Sequence, residues 1–177
     1  MATSAIVVTA GSASANAYVT LAVADQYHRD RPANDTVWAD AMANADKSKA
    51  NAGILLATKL LDKLVVWSGV RVDTTQALEW PRSGLVNPNG TAVSTTAIPL
   101  DLQHATADFA KHLITGERHG DSALDRYGLS KLSVPGIALE FTGQSPSSNV
   151  VPVSSMQLLP DDWGHLKVGL AVELVRA

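Results

Sequence analysis

Apolar residues recur at helical spacing in two stretches of the chain. Between residues 47 and 66 they are separated by four, three, four and three positions, the spacing of one buried helical face. Gly53 lies within this predicted helix, where it costs up to about 1 kcal/mol relative to Ala and therefore predicts close approach of another backbone. A second helix is predicted over residues 99–115, with Pro99 as its first residue and Gly116 after its end. The apolar face of the first helix comprises Ala50, Ile54, Ala57, Leu61 and Leu64.

Two shorter helices are predicted nearer the start of the chain. Thr20 is a suitable N-cap for a helix over residues 21–29, on which Ala24, Tyr27 and His28 share one face. A following helix carries Trp38 and Met42 and can be capped by residue 35 or 36.

Extended and irregular structure is predicted for the other stretches. Residues 70–97 have loop composition and include the turn sequence Asn87-Pro88-Asn89-Gly90. Residues 129–142 alternate around Pro135-Gly136, which predicts a two-stranded hairpin.

These elements predict a mainly α fold: a small helical bundle with two long helices, a β-hairpin near residues 130–142, and extended N- and C-terminal arms. We expect an N-terminal arm at residues 1–17 and a helical domain with the hairpin at 18–142. A linker and a docking C-terminal extension follow at 143–177. The linker prediction rests on the Ser- and Pro-rich composition of residues 144–155. Residues 156–177 are too apolar to remain in solvent and too few to fold alone.

Composition excludes several classes of protein. Hydrophobic residues make up 46% and charged residues 18%, so the chain can fold, with a weakly charged surface suited to repeated protein–protein contact. The 14 Lys and Arg are outnumbered by 17 Asp and Glu, without the basic excess usual in nucleic-acid binders. The chain has no cysteine, which excludes disulfides and thiol catalysis and fits reducing cytoplasm. No apolar run is long enough for a membrane span, and no secretory signal is recognisable.

Motifs for catalysis, cofactors or metals are not found in the sequence. Neither glycine-rich phosphate-binding motif is present, and no Gly-x-Ser-x-Gly surrounds a serine. The adjacent acids Asp161 and Asp162 fit the start of a helix after Pro160 better than an acid–base pair. A Ser/His/Asp triad stays open on composition alone. We therefore predict no enzyme, cofactor or metal site. No pair with the spacing of a metal site occurs among the histidines, which are His28, His104, His112, His119 and His165.

The tryptophans allow two interpretations. Trp67 is near Arg71, and Trp80 is near Arg82, an arrangement that could stack single-stranded bases. Anchoring of a core or a protein interface is the favoured interpretation, because tryptophan is also a common interface residue. The predicted partner-contact residues are Trp67, Arg71, Trp80, Arg82, Leu158, Leu159 and Trp163.

Several segments together resemble a known bacteriophage family. The resemblance covers residues 15–141, and its most specific part is Ala-Leu-Glu-Trp-Pro-Arg-Ser-Gly at residues 77–84. Other matching segments are residues 15–20 (Ala-Asn-Ala-Tyr-Val-Thr), 24–27, 57–62 and 67–71. Members are encoded among the head genes of long-tailed phages and prophages. They are often described as DnaT-like single-stranded DNA-binding proteins, although their setting resembles that of head–tail adaptors.

The resemblance implies a structural virion protein. We expect a head-to-tail adaptor, a homo-oligomeric, dodecameric ring under the portal that lines the DNA channel. Its expected partners are other copies of itself, the portal protein, and the next tail-side connector or stopper. Double-stranded DNA would pass through without sequence-specific binding. The expected location is the neck of the virion, after synthesis in the host cytoplasm, with residues 156–177 docking on the portal or a neighbouring ring. The alternative is a single-stranded DNA-binding protein of DnaT-like type, which should concentrate Lys and Arg along a groove.

Overall fold

Helix α4 (Leu100–Thr115) is the element against which the other described helices pack. The computed structural model describes residues 5–31, 36–43, 47–115, 131–134, 137–140 and 151–167. Within them α4 contacts α1 (Leu21–Arg29), α2 (Thr36–Ala43), α3 (Ser48–Leu64) and α5 (Val153–Met156). None of these helices is long and apolar enough to cross a bilayer.

Helix α1 begins and ends as the sequence predicts. The side chain of Thr20 accepts a hydrogen bond from the amide of Val23 over 3.3 Å, which satisfies one donor of the first turn. Ala24, Tyr27 and His28 are all buried, so the predicted face is the one that packs on the protein. Helix α2 also forms where it was predicted, with Trp38 buried.

Helix α3 buries the predicted stripe but ends two residues early. A Cβ at Gly53 would lie 3.0 Å from the carbonyl oxygen of Ala110, which confirms the predicted close approach of a neighbouring backbone. Val65 is extended, with φ −96° and ψ 136°, and begins a strand where the sequence predicted helix to residue 66. The physical reason is that β-branched residues suit a strand, and a pairing partner is present later in the chain. Of the predicted stripe, Leu64 is half-buried, and the four fully buried residues are Ala50, Ile54, Ala57 and Leu61.

Small antiparallel strand pairs accompany the helices. Strand β1 (Val65–Trp67) pairs with β6 (Gly164–Leu166), with Val65 opposite Leu166. Strand β2 (Val70–Arg71) pairs with β3 (Arg82–Ser83). Strands β4 (Lys131–Val134) and β5 (Ile137–Glu140) pair antiparallel where the hairpin near residues 130–142 was predicted; residues 135–136 between them lie outside the described residues. The described chain therefore mixes helices with short β-hairpin pairing.

The first described segment, residues 5–17, folds back on itself. The side chain of Asn16 accepts from the amide of Val7 over 2.8 Å and donates to the carbonyl of Ala5 over 2.8 Å. The amide of Ala77 donates to the carbonyl of Ser12 over 3.1 Å, which ties this segment to the loop before β3. The division of the chain at residues 17 and 142 stays a prediction.

Residues 151, 152 and 155 are buried, although the composition of residues 144–155 predicts a linker. Val151 and Ser155 are 1% and 0% exposed, because α5 packs against α4. The remainder of the predicted linker, residues 144–150, lies outside the described residues, as do residues 168–177. Asp161–Trp163 forms a short 3-10 helix after Pro160, in agreement with the predicted helix start.

Candidate functional site

Three of the tryptophans singled out in the sequence form one buried cluster. The ring of Trp80 lies edge-on to Trp67 at 5.5 Å and at 5.2 Å from Trp163. Their exposed fractions are 8% for Trp67 and 1% for each of the other two. The cluster holds β1, the loop before β3 and the 3-10 helix together. These rings are therefore core residues in the described fold and present no face on which a base could stack.

The two arginines near these tryptophans are also engaged within the chain. Arg82 donates to the carbonyls of Ser68 over 2.7 Å and Gly69 over 2.9 Å, and to Oε2 of Glu79 over 2.7 Å. Arg71 donates to the carbonyl of Gln76. Both guanidinium groups therefore hold the loop between β2 and β3 in place through hydrogen bonds within the chain.

The structure brings together only some of the seven predicted partner-contact residues. The structure brings Trp67, Trp80, Trp163 and Arg82 together in the interior. Leu159 is buried, and Leu158 is half-buried. As partner contacts, these residues remain a prediction.

A buried acid and phenol pair lies beneath the same loop. The hydroxyl of Tyr18 donates to Asp62, and the amide of Glu79 donates to the other carboxylate oxygen over 3.3 Å. Burial raises the pKa of Asp62 to about 6, although the Tyr18 and Glu79 hydrogen bonds favour the charged form. Burial and the charge of Asp62 likewise raise the pKa of Tyr18. The pair links Tyr18, which precedes α1, to Asp62 in α3. This structural role accounts for the pair without any catalytic function.

A second buried carboxylate, Asp108, is at the junction of α1, α4 and α5. It accepts hydrogen bonds from Arg31 over 2.8 Å, Ser154 over 2.9 Å and Ser155 over 2.8 Å. Burial alone would raise the pKa of Asp108, but the two serine hydroxyls, then Arg31 and His112, outweigh it and lower that pKa. The carboxylate is therefore held in its charged form.

Composition alone left a Ser/His/Asp triad open, and the structure places one candidate set together: Ser154, His112 and Asp108. Nε2 of His112 is 3.4 Å from Oγ of Ser154 and 3.7 Å from Oδ2 of Asp108. In a hydrolytic triad the serine and the acid meet opposite nitrogens of the imidazole, so that the acid orients the base. Here both groups face the same nitrogen, and Ser154 donates directly to Asp108. This arrangement is a hydrogen-bond network without triad geometry.

An open cleft lies between α1 and the first turns of α4. Its volume is about 340 Å³, at the small end of the range for pockets that hold small molecules. We call it the α1–α4 cleft. Its lining residues are Val23, Gln26, Tyr27, Asp30, Arg31, Leu100 and His104.

Planar groups are stacked at the base of the α1–α4 cleft. The guanidinium of Arg31 lies over the ring of Tyr27, 4.4 Å from its centroid. The ring of His104 is 4.8 Å from that of Tyr27 and tilted by 31°. Burial and the charge of Asp108 raise the pKa of Tyr27 to about 12, so its phenol stays neutral. Tyr27 is buried, whereas Arg31 and His104 are half-buried and Leu100 is 57% exposed.

The sequence did not point to this cleft. Tyr27 was predicted only as a buried position of α1, and neither Arg31 nor Leu100 was singled out. Tyr27 and Arg31 are one helical turn apart, which is the pattern that could have suggested a pair. Their meeting with His104 depends on the packing of α1 against α4, and helical periodicity does not specify that packing. Among the described residues no group of His, Asp and Glu could hold a metal ion.

Comparison with known proteins gives a family for the chain. The model of a family described as "Putative DnaT-like ssDNA binding protein" matches residues 4–177. The chain therefore belongs to this family. No curated protein matches the chain, and neither does any solved structure.

The family match corrects the functional prediction made from the sequence. The resemblance is confirmed for the DnaT-like family, but the ring-forming head-to-tail adaptor is wrong as the main interpretation. The family description names single-stranded DNA binding, which was the alternative. The portal, the ring and the tail-side connector have no support as partners, whereas a DNA partner fits the family.

Proposed function

We propose that this protein binds single-stranded DNA and that the strand contacts it at the α1–α4 cleft. The observation that carries the proposal is membership of the DnaT-like family over residues 4–177. Single strands differ from duplexes in exposing the faces of their bases, and proteins bind those faces on aromatic rings and guanidinium planes.

The α1–α4 cleft supports the proposal because it combines these groups at an accessible place. His104 and Arg31 are both partly exposed there, and each contacts the buried ring of Tyr27. The tryptophan cluster supports it less, because Trp67, Trp80 and Trp163 are packed in the interior. The site proposed here is therefore different from the Trp/Arg neighbourhoods that the sequence suggested.

The experiment is a titration of a labelled oligo-dT strand followed by fluorescence anisotropy at low salt. The proposal expects saturable binding that is tighter than for a duplex of equal length. His104→Ala should weaken it, whereas His165→Ala, an exposed histidine on β6, should not. Equal affinity for strand and duplex, or the same loss with both histidine variants, would contradict the proposal.

Two expectations from the sequence stay predictions beside this one. One is that the chain is not an enzyme. The other is its location in the neck of the virion after synthesis in the host cytoplasm.

A further inference from the structure

We infer that the α1–α4 cleft accepts an uncharged nucleobase and not a phosphate, so that the protein holds a strand mainly by its bases. This inference rests on the proposed function and specifies what the same site recognises. It depends on the charges, the shape and the packing of the lining residues.

The charges of the cleft balance. Among its seven described lining residues, Arg31 is the only permanent cation and Asp30 is the only anion. Arg31 also donates from Nη1 to the buried carboxylate of Asp108, so much of its charge is already compensated. A phosphate in the cleft would gain little attraction from this set and would approach the carboxylate of Asp30. A neutral ligand has no such cost.

The surfaces of the cleft suit a flat ring. Val23 and Leu100 supply aliphatic walls on α1 and α4, and Leu100 leaves more than half of its surface exposed. The imidazole of His104 is backed by Tyr27 at 4.8 Å, which holds the ring in place before any ligand arrives. A base that stacks on His104 and contacts Leu100 would add one more planar group to the contacts that the Tyr27 ring already makes with Arg31 and His104.

The rim can hydrogen-bond the edge of a base. Nε2 of Gln26 donates to Oδ1 of Asp30 over 2.6 Å, and both side chains are exposed. An amide and a carboxylate together offer a donor and acceptors, as base edges require. This pair therefore matches a nucleobase better than a phosphate, which only accepts hydrogen bonds at neutral pH.

The net charge of the chain agrees with this mode of binding. At −3, with 14 Lys and Arg against 17 Asp and Glu, the chain lacks the basic excess that favours binding through the phosphate backbone. Each phosphate contact to a single strand contributes a slope of about −0.7 to log K against log salt. With Arg31 as the one cation of the cleft, we expect a total slope no steeper than about −1.

The test compares an oligo-dT strand with an abasic strand of the same length, which keeps the phosphates and lacks the bases. Base recognition predicts that the abasic strand binds at least about tenfold more weakly. His104→Ala should weaken oligo-dT binding by about tenfold and leave the abasic strand unaffected. Leu100→Ser provides a second variant, because this exposed side chain can be changed without disturbing the core. His165→Ala is the matched control.

Free thymidine separates this inference from the proposed function. In nuclear magnetic resonance spectra of the full chain, it should shift the signals of His104 and Leu100 at millimolar concentration, whereas inorganic phosphate should not. Equal binding of oligo-dT and abasic strands, unaffected by His104→Ala, would overturn the base pocket and leave DNA binding in place. If neither strand binds, the proposed function fails, and the thymidine spectra alone decide whether the cleft takes a base.

Discussion

Nη1 of Arg31 donates a hydrogen bond to Oδ1 of Asp108 over 2.8 Å, and this bond joins the segment just after α1 to the middle of α4. The same carboxylate receives the hydroxyls of Ser154 and Ser155 on α5. One buried charge therefore fixes three helices that are distant in sequence. The base of the α1–α4 cleft depends on it, because Arg31 also covers the ring of Tyr27.

Replacing Asp108 should destabilise the protein strongly. Asp108→Asn removes the charge that faces Arg31 and places an amide where donors converge, so we expect a loss of about 3 kcal/mol in the free energy of unfolding. Urea denaturation followed by circular dichroism measures it. Asp101→Asn, at an exposed position of the same helix, should cost less than about 1 kcal/mol. Similar losses for the two variants would argue against a special role for Asp108.

A methyl group at Gly53 should be harmful although alanine favours helices. Gly53→Ala gains about 1 kcal/mol of helix propensity, but its Cβ would lie 3.0 Å from the carbonyl of Ala110 and 3.1 Å from Cγ1 of Ile114. Overpacking of this kind costs about 1–3 kcal/mol, so we expect a net loss near 1 kcal/mol. Ala52→Gly, exposed on the same helix, measures the propensity contribution separately. A Gly53→Ala variant more stable than the wild type would show that α3 and α4 can separate at no cost.

The raised pKa of Asp62 predicts a pH dependence of stability. An acid whose pKa is about 6 when folded and 3.8 when unfolded binds more protons in the folded state between these values. Its contribution is thus fully present below pH 3.8 and is lost as the pH rises through about 6, with a maximum size of about 3 kcal/mol. The lowered pKa of Asp108 acts oppositely, because its stabilisation is present above the ordinary carboxyl pKa and is lost in stronger acid.

Thermal unfolding across this pH range measures the effect of Asp62. The wild type should become more stable between neutral pH and about pH 4.5, apart from other titrating groups. In Asp62→Asn this component should disappear, so that the difference between the two proteins changes with pH. Parallel curves for the two proteins would mean that Asp62 titrates normally.

The guanidinium of Arg82 should not be replaceable by an ammonium. Arg82→Lys keeps the charge but cannot reach Ser68, Gly69 and Glu79 together, so we expect a loss of about 2–3 kcal/mol. Tryptophan fluorescence during guanidinium chloride unfolding follows this region through the adjacent Trp67 and Trp80. Arg29→Lys, at a side chain 70% exposed, should change stability by less than about 0.5 kcal/mol. An equally small effect at Arg82 would show that the loop is held by other contacts.

Local sequence patterns were sufficient to predict those elements that are stabilised by contacts between residues close in the chain. The cap at Thr20 defines the start of α1, and the amide of Gly90 donates to the carbonyl of Asn87 over 2.8 Å in the predicted turn. The end of α3 was not predictable in this way, because Val65 fits a helical stripe and a strand equally well. Its conformation depends on Leu166, far along the chain.

The candidate site required information that one sequence does not contain. Helical spacing shows that Tyr27 and His104 each lie near a buried face, but not that the two faces meet. The sequence left base stacking open for the Trp80–Arg82 neighbourhood, because an aromatic and a basic residue are close there. In the structure the guanidinium of Arg82 is used to satisfy backbone carbonyls. The adaptor prediction went wrong for another reason. It gave most weight to the phage setting of the family and to the scarcity of basic residues, which argues against binding of phosphates and says little about binding of bases.

The pairing of β1 with β6 has a consequence for how the chain reaches its native state. Val65 must find a partner about a hundred residues away, and closing a loop of that length carries an entropic cost that local helices do not bear. During synthesis, α1 to α4 emerge from the ribosome well before Trp163 and Leu166. Until then the Trp67–Trp80 face has no cover from the 3-10 helix, and β1 is an open strand edge. We therefore expect the tryptophan cluster to close late in folding, and a nascent chain halted before residue 163 to expose an unpaired strand edge that favours misassociation.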